Sequence, residues 1–183
     1  MSEEWETWRL RFAPTFAPTN WNVAAGLIKL IIRIYDEFET KDISLVEVGS
    51  FKGESASMFA GSGIFSKIWL VDTWYNKKIE DICKHNMDRY DFVTMLKGTS
   101  KATYEGWSIP IDVVYVDAGH DYDSIFYDIN NWSTVVKNGG LICGHDYGIS
   151  SPDVKLVVDT YAKTHNYKLE IFTDSSWLMK KPI

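Results

Sequence analysis

Cysteine is scarce in this chain. Two residues, Cys83 and Cys143, stand among 183, and their spacing from each other and from the four histidines matches no zinc-finger pattern. They do not suggest a disulfide framework, so a reducing cytoplasm is the expected home. An excess of positive charge is also missing: 19 Lys and Arg face 25 Asp and Glu, a formal net charge of −6. That excludes a broad non-specific grip on nucleic acid, which needs a basic face. No apolar run approaches the length of a membrane span. Residues Met1 to Arg11 are acidic and aromatic, without the charged-then-apolar layout of a signal peptide. Internal repeats and low-complexity tracts are absent. What remains is an ordinary globular composition, 45% hydrophobic and 24% charged. The length fits one domain, residues 1–183, able to bury a sizeable core. Residues 1–20 read as an aromatic arm carrying Trp5, Trp8, Phe12 and Phe16, broken by Pro14 and Pro18. Such a patch needs cover: the domain's own surface, a substrate beneath the arm as a lid, or a second subunit in a homo-oligomer.

The periodicities alternate between the two regular structures. Asn20 or Thr19 caps a helix to about Phe38, with Val23, Leu27, Leu30, Ile31 and Ile34 at helical spacing. Ile43–Val48, Ile68–Val71, Phe92–Leu96, Ile111–Val116 and Leu141–Cys143 are short apolar runs that predict strands. Helices are expected over Gly53–Ala60, Ile79–Tyr90, Lys101–Glu105, Tyr122–Val136 and Val154–Thr164, with Asn138–Gly139–Gly140 as a stop. Tyr167–Phe172 and Trp177–Lys180 predict a closing antiparallel hairpin. Strands alternating with helices imply an α/β fold with a mostly parallel, doubly wound sheet, which binds ligands outside the carboxyl ends of its strands.

Those ends carry the polar chemistry. After the first strand comes Glu47-Val48-Gly49-Ser50-Phe51-Lys52-Gly53-Glu54-Ser55. Gly49 and Gly53 permit close backbone approach, and the following helix N-terminus favours an anion. Asp72 ends the second strand, suited to two ribose hydroxyls, and Thr73 and Trp74 follow it. A glycine turn alone is also compatible with a purely structural role. The spacing is not the G-x-G-x-x-G of nicotinamide cofactors, so an oxidoreductase is disfavoured.

The strand order, the Glu47-x-Gly49-Ser50-x-x-Gly53-x-Ser55 loop, Asp72 and the terminal hairpin resemble class I S-adenosylmethionine-dependent methyltransferases, from about Asn20 to the C-terminus. The resemblance implies a Rossmann-like sheet of seven strands. The last strand in sequence is then antiparallel and sits between two parallel ones. The loop is most similar to O-methyltransferases of the catechol and caffeoyl-coenzyme A type. By that likeness Gly49 and Ser50 meet the methionine portion of S-adenosylmethionine, Asp72 the ribose, and Gly98, Thr99 and Ser100 the adenine edge.

A second constellation follows strands four and five: Asp117-Ala118-Gly119-His120 and Gly144-His145-Asp146. Neighbouring strands bring Asp117, His145 and Asp146 toward one divalent cation. Oxygen donors suit magnesium or calcium, and an added imidazole shifts the preference toward manganese, iron or zinc. The pair resembles the metal-dependent sugar O-methyltransferases of the macrocin type and cephalosporin hydroxylase-like proteins, which implies Asp117 and Asp146 on the metal and His120 as base. A carboxylate is usual where His145 stands. Hydrogen-bonded loop roles for His120 and for His145–Asp146 are the structural alternatives. Asp121 and Asp123 are expected to cap the helix that follows. Trp74, Tyr75 and Tyr147 are read either as pocket wall or as core. The expectation is methyl transfer from S-adenosylmethionine to a hydroxyl of a small molecule or sugar, assisted by Mg or Mn. A metal-independent methyltransferase and a noncatalytic nucleoside-binding module remain as alternatives. No nucleic-acid or membrane partner is expected.

Overall fold

The computed structural model describes residues 21–183, with positions 39, 41 and 149 excepted. The arm of residues 1–20, and the lid or subunit contact expected of it, lie outside these described residues. The element order is α1 (Trp21–Glu37), β1 (Ile43–Val48), α2 (Glu54–Ser62), β2 (Phe65–Asp72), α3 (Lys77–Met87), β3 (Val93–Lys97), α4 (Ser100–Glu105), β4 (Ile111–Val116), α5 (Tyr122–Val135), β5 (Val136–Gly144), α6 (Pro152–His165), β6 (Leu169–Ile171) and β7 (Trp177–Lys180).

The strands form one sheet in the order β3-β2-β1-β4-β5-β7-β6. β3, β2, β1, β4 and β5 pair in parallel, and β7 pairs antiparallel with both β5 and β6. The last strand in sequence thus lies between β5 and β6, as the resemblance implied. Side chains alternate between the two faces with the two-residue period of a strand. Leu45, Val113, Tyr115 and Leu141 face a core closed by α1, α2 and α3. Val46, Val114, Val116 and Ile142 face a second core closed by α5 and α6. The α1 stripe read from the sequence is the buried one: Leu30, Ile31 and Ile34 are fully buried. Each such side chain contributes roughly 1.5–3 kcal/mol relative to an exposed one.

The expected stop at Asn138–Gly139–Gly140 is corrected by the structure. α5 passes directly into β5 at Val136, and all three residues belong to the strand. The glycines mark an irregular ladder instead of a loop. Register between β4 and β5 shifts between Ile111 and Val113. Gly139 takes φ 78°. A Cβ on Gly140 would stand 2.6 Å from the Asp112 carbonyl oxygen. β2 also begins earlier than the apolar run suggested, at Phe65, because Gly63 at φ 71° ends α2 abruptly.

The sequence order of the strands reverses between β1 and β4, so a crevice opens at their carboxyl ends. Hydrogen bonds continue the ladders one step past the strands there. Gly49 N–H donates to Val71 O at 2.8 Å, Asp117 N–H to Val48 O at 2.8 Å, His145 N–H to Val116 O at 3.1 Å and Gly98 N–H to Asp72 O at 2.9 Å. These bonds hold the polar loops level along one edge.

Candidate functional site

A cavity of about 530 Å³ opens at this edge. Of the residues singled out in the sequence, Gly49, Ser50, Ser55, Asp72, Thr73, Gly98, Ser100, Asp117 and His120 line it. The first loop is shaped by steric necessity. Gly49 has φ 92°, and a Cβ there would stand 2.1 Å from the Asp117 carbonyl oxygen. Only glycine fits between β1 and β4 at this height. Gly53, at φ 78°, lies away from the cavity, and its missing side chain lets α3 approach, with Cys83 Sγ 3.1 Å from where a Cβ would be.

Glu47 sits behind the lining, fully buried. Its Oε1 accepts the Ser55 hydroxyl at 2.5 Å. Its Oε2 is buried without a partner, as is the Ser50 hydroxyl. Burial pushes the Glu47 carboxyl up to about 7, partly offset by the Ser55 hydrogen bond and the nearby Ser50 hydroxyl dipole and reinforced by the charges of Asp117 and Asp72. An unpartnered carboxylate oxygen and an unpartnered hydroxyl beside a cavity form a site for a ligand that both donates and accepts.

Asp72 staples two loops. Its Oδ2 accepts Phe51 N–H and its Oδ1 accepts Trp74 N–H, each at 2.8 Å. Phe51 and Trp74 take φ 45° and 37°, the left-handed region that non-glycine residues rarely occupy. Trp74 is no pocket wall: it is 2% exposed and donates its indole N–H to Phe51 O at 2.7 Å. The exposed aromatics at the mouth are Phe51 and Tyr75 instead. Thr99 caps α4 by accepting Ala102 N–H at 3.1 Å. Ser100 is tied to α5, through Asp128 and Trp132. Asp128 carried no sequence signal beyond its place on a helix.

At the β4 end, Asp117, His120 and Asp146 converge, each offering a ligand atom within 4.8 Å of the others. His120 Nε2 is 2.8 Å from Asp146 Oδ2 and 3.8 Å from Asp117 Oδ1. The two carboxylates raise the proton affinity of His120. His145 stands apart from this trio. Its Nδ1 is 3.3 Å from Asp146 Oδ1, while its Nε2 is buried without a partner. Burial pulls its pKa down, but Asp146 and Asp117 outweigh that and hold it at about 9. Asp146, at φ 60°, is held below its ordinary value, first by the His145 hydrogen bond. Two carboxylates and an imidazole at this spacing suit a divalent cation such as magnesium or manganese. Asp121 caps α5 as expected, accepting Ser124 N–H at 3.1 Å. Tyr147 donates to Asp159 at 2.7 Å and does not line the cavity.

Known proteins resemble this chain in sequence or in fold. A protein of Acanthamoeba polyphaga mimivirus is 24% identical over 159 residues, covering 78% of this chain and 72% of that protein. An O-methyltransferase from Bacillus cereus, solved with S-adenosylhomocysteine, superposes with a TM-score of 0.66 at 14% identity, covering 98% of this chain and 90% of that one. An rRNA methylase from Streptococcus thermophilus reaches 0.68 at 10% identity, covering 86% and 97%. The methyltransferase-domain family model matches residues 46–147, from the glycine loop through the Asp146 turn. The chain therefore belongs to the methyltransferase-domain family and has the class I S-adenosylmethionine-dependent fold.

Proposed function

We propose that this methyltransferase transfers a methyl group from S-adenosylmethionine to a hydroxyl of a small molecule or sugar, with a divalent cation at Asp117 and Asp146. The observation that carries the hydroxyl reading is the convergence of Asp117, His120 and Asp146 at the β4 end of the cavity. The cofactor reading is supported by the unpartnered atoms of Glu47 and Ser50, which suit the ammonium and carboxylate of a methionine zwitterion. Asp72, with both oxygens anchored yet holding free lone pairs, suits a ribose diol.

S-adenosylmethionine supplies an electrophilic methyl, and a cation at the two carboxylates supplies charge that favours the ionised hydroxyl. The chain's own part is positioning and proton transfer. Gly49 and Ser50 bring the backbone close to the methionine end. His120, lining the cavity, takes the acceptor's proton on its imidazole ring. His145 braces Asp146 through Nδ1. Alignment of the two reactants accounts for much of the rate.

Calorimetry with Mn²⁺ alone tests the cation. One bound ion is expected, lost in both Asp117→Ala and Asp146→Ala; binding retained in both variants refutes the assignment. Transfer of radiolabelled methyl to a set of phenolic and sugar hydroxyls tests the reaction. The 2.8 Å contact between His120 and Asp146 supports a second, metal-free reading, in which Asp146 simply orients the base. Turnover that persists in EDTA selects that reading.

A further inference from the structure

Three side-chain atoms around the β5 end are buried without a hydrogen-bond partner among the described residues: His145 Nε2, Asp174 Oδ2 and Ser176 Oγ. None of these residues lines the cavity. Strand pairing brings them together. Cys143 and Leu178 are partners across β5 and β7, and both face the core closed by α1. The last pair is Gly144 with Trp177. One step beyond it, with the two-residue period of a strand, His145 and Ser176 return to the face of Cys143 and Leu178. Asp174 folds back onto this turn, its Oδ1 accepting the Ser176 N–H at 2.9 Å. The other oxygen therefore stays beside Ser176. The Asp174 charge reaches His145, whose proton affinity it helps to raise.

Helix α1 closes this group off from water. A Cβ on Gly26 would stand 2.1 Å from Asp174 Cγ, so the helix backbone lies directly against the carboxylate. Asp174 is 7% exposed and Ser176 fully buried. An unpaired carboxylate oxygen is costly to bury. Hydrogens to satisfy it stand on the same face, in the His145 ring and the Ser176 hydroxyl, and a buried water commonly joins about three such atoms. On its other side the His145 ring meets the site: Nδ1 is 3.3 Å from Asp146 Oδ1. Asp146 Oδ2 is in turn 2.8 Å from His120 Nε2. The series Asp174, His145, Asp146, His120 thus runs from α1 to the cavity. Asp146 keeps its place in it at φ 60°, a backbone conformation that its surroundings must enforce.

We infer that Asp174 and Ser176 hold the His145 ring at Nε2, directly or through a buried water, and that His145 so held fixes the Asp146 carboxylate for the divalent cation. Asp174 is in this account a positioning residue for the cation site, acting through His145 from outside the cavity. The inference rests on the proposed cation at Asp117 and Asp146.

The test is calorimetry on the full chain, with Mn²⁺ and separately with S-adenosylhomocysteine. Asp174→Asn keeps the shape and the acceptor for the Ser176 N–H, but puts an amide donor where Oδ2 stood. Its Mn²⁺ affinity should fall roughly 10-fold, the usual scale for losing a partner behind a metal ligand, with S-adenosylhomocysteine affinity unchanged. Ser176→Ala, which removes only the hydroxyl, should lower Mn²⁺ affinity about threefold. His145→Ala should cost as much as Asp174→Asn, and adding Asp174→Asn to it should cost nothing more, because the link to Asp146 is already gone. Mn²⁺ affinity unmoved by Asp174→Asn overturns the inference. Equal weakening of both ligands means a merely structural role and also overturns it, as does the same Mn²⁺ loss with and without His145. In these three cases the cation reading stands. Failure of the unaltered chain to bind Mn²⁺ overturns both.

Discussion

Replacing Glu47 with Gln should make the ligand-free protein more stable, and only above a definite pH. Glu47 is fully buried, with one oxygen held by Ser55 and the other without a partner. Its pKa rises from an ordinary 4.5 to about 7. The folded chain therefore holds this proton more tightly than the unfolded chain does. Stability falls as pH climbs from about 4.5 toward 7, and the penalty is complete above 7. Each tenfold of proton affinity is worth about 1.4 kcal/mol, so the full penalty is about 3 kcal/mol. Gln keeps the acceptor for Ser55, carries no charge, and its amide can donate to the Ser50 hydroxyl. In thermal unfolding followed by circular dichroism, Glu47→Gln should match the unaltered chain near pH 4.5 and exceed it at pH 8. The gain expected for a domain of this size is roughly 6–12 °C. On the proposed cofactor reading the same substitution should weaken S-adenosylhomocysteine binding, since the carboxylate that costs stability would face the ligand's ammonium. An equal effect at both pH values, or a loss of stability at pH 8, refutes the reasoning.

Gly49→Ala places a Cβ 2.1 Å from the Asp117 carbonyl oxygen at a backbone φ of 92°, so neither neighbour can yield cheaply. A loss of about 2–4 kcal/mol in urea unfolding is expected, together with lost cofactor binding. Asp112 tests the acid side of the stability profile. Burial raises its pKa, but Lys137 at 2.8 Å and the Ser44 hydroxyl and N–H outweigh that and hold it below 3.8. Its contribution is present above the unfolded pKa and lost as pH falls through the lower folded one. Asp112→Asn should cost about 1–2 kcal/mol at pH 7, and the difference from the unaltered chain should shrink by pH 3.

Much of the parallel sheet was legible because a strand could announce itself twice, by an apolar run and by a glycine or an acid closing it. Val48 before Gly49, Val71 before Asp72 and Val116 before Asp117 are such pairs. Asn138–Gly139–Gly140 misled because a glycine pair marks a loop in most contexts, and only the pairing with β4 and with Lys181 reveals a bulged strand. Trp74 and Tyr75 were indistinguishable as neighbouring aromatics. A left-handed backbone at Trp74 buries one ring and leaves the other 90% exposed.

The candidate site divides in the same way. Local spacing by itself determined the glycine loop, the acids at the strand ends and the histidine three residues past Asp117, because these depend on where a strand stops. It could not decide between His120 and His145. Consecutive residues at a strand end point in different directions, and at Asp146 the backbone takes φ 60°. His120 and Asp146 meet across two loops, while His145 turns into the protein. Asp128 was decided entirely by tertiary structure. Its partner Ser100 is 28 residues away, and only the packing of α5 beneath the β3 end brings them together.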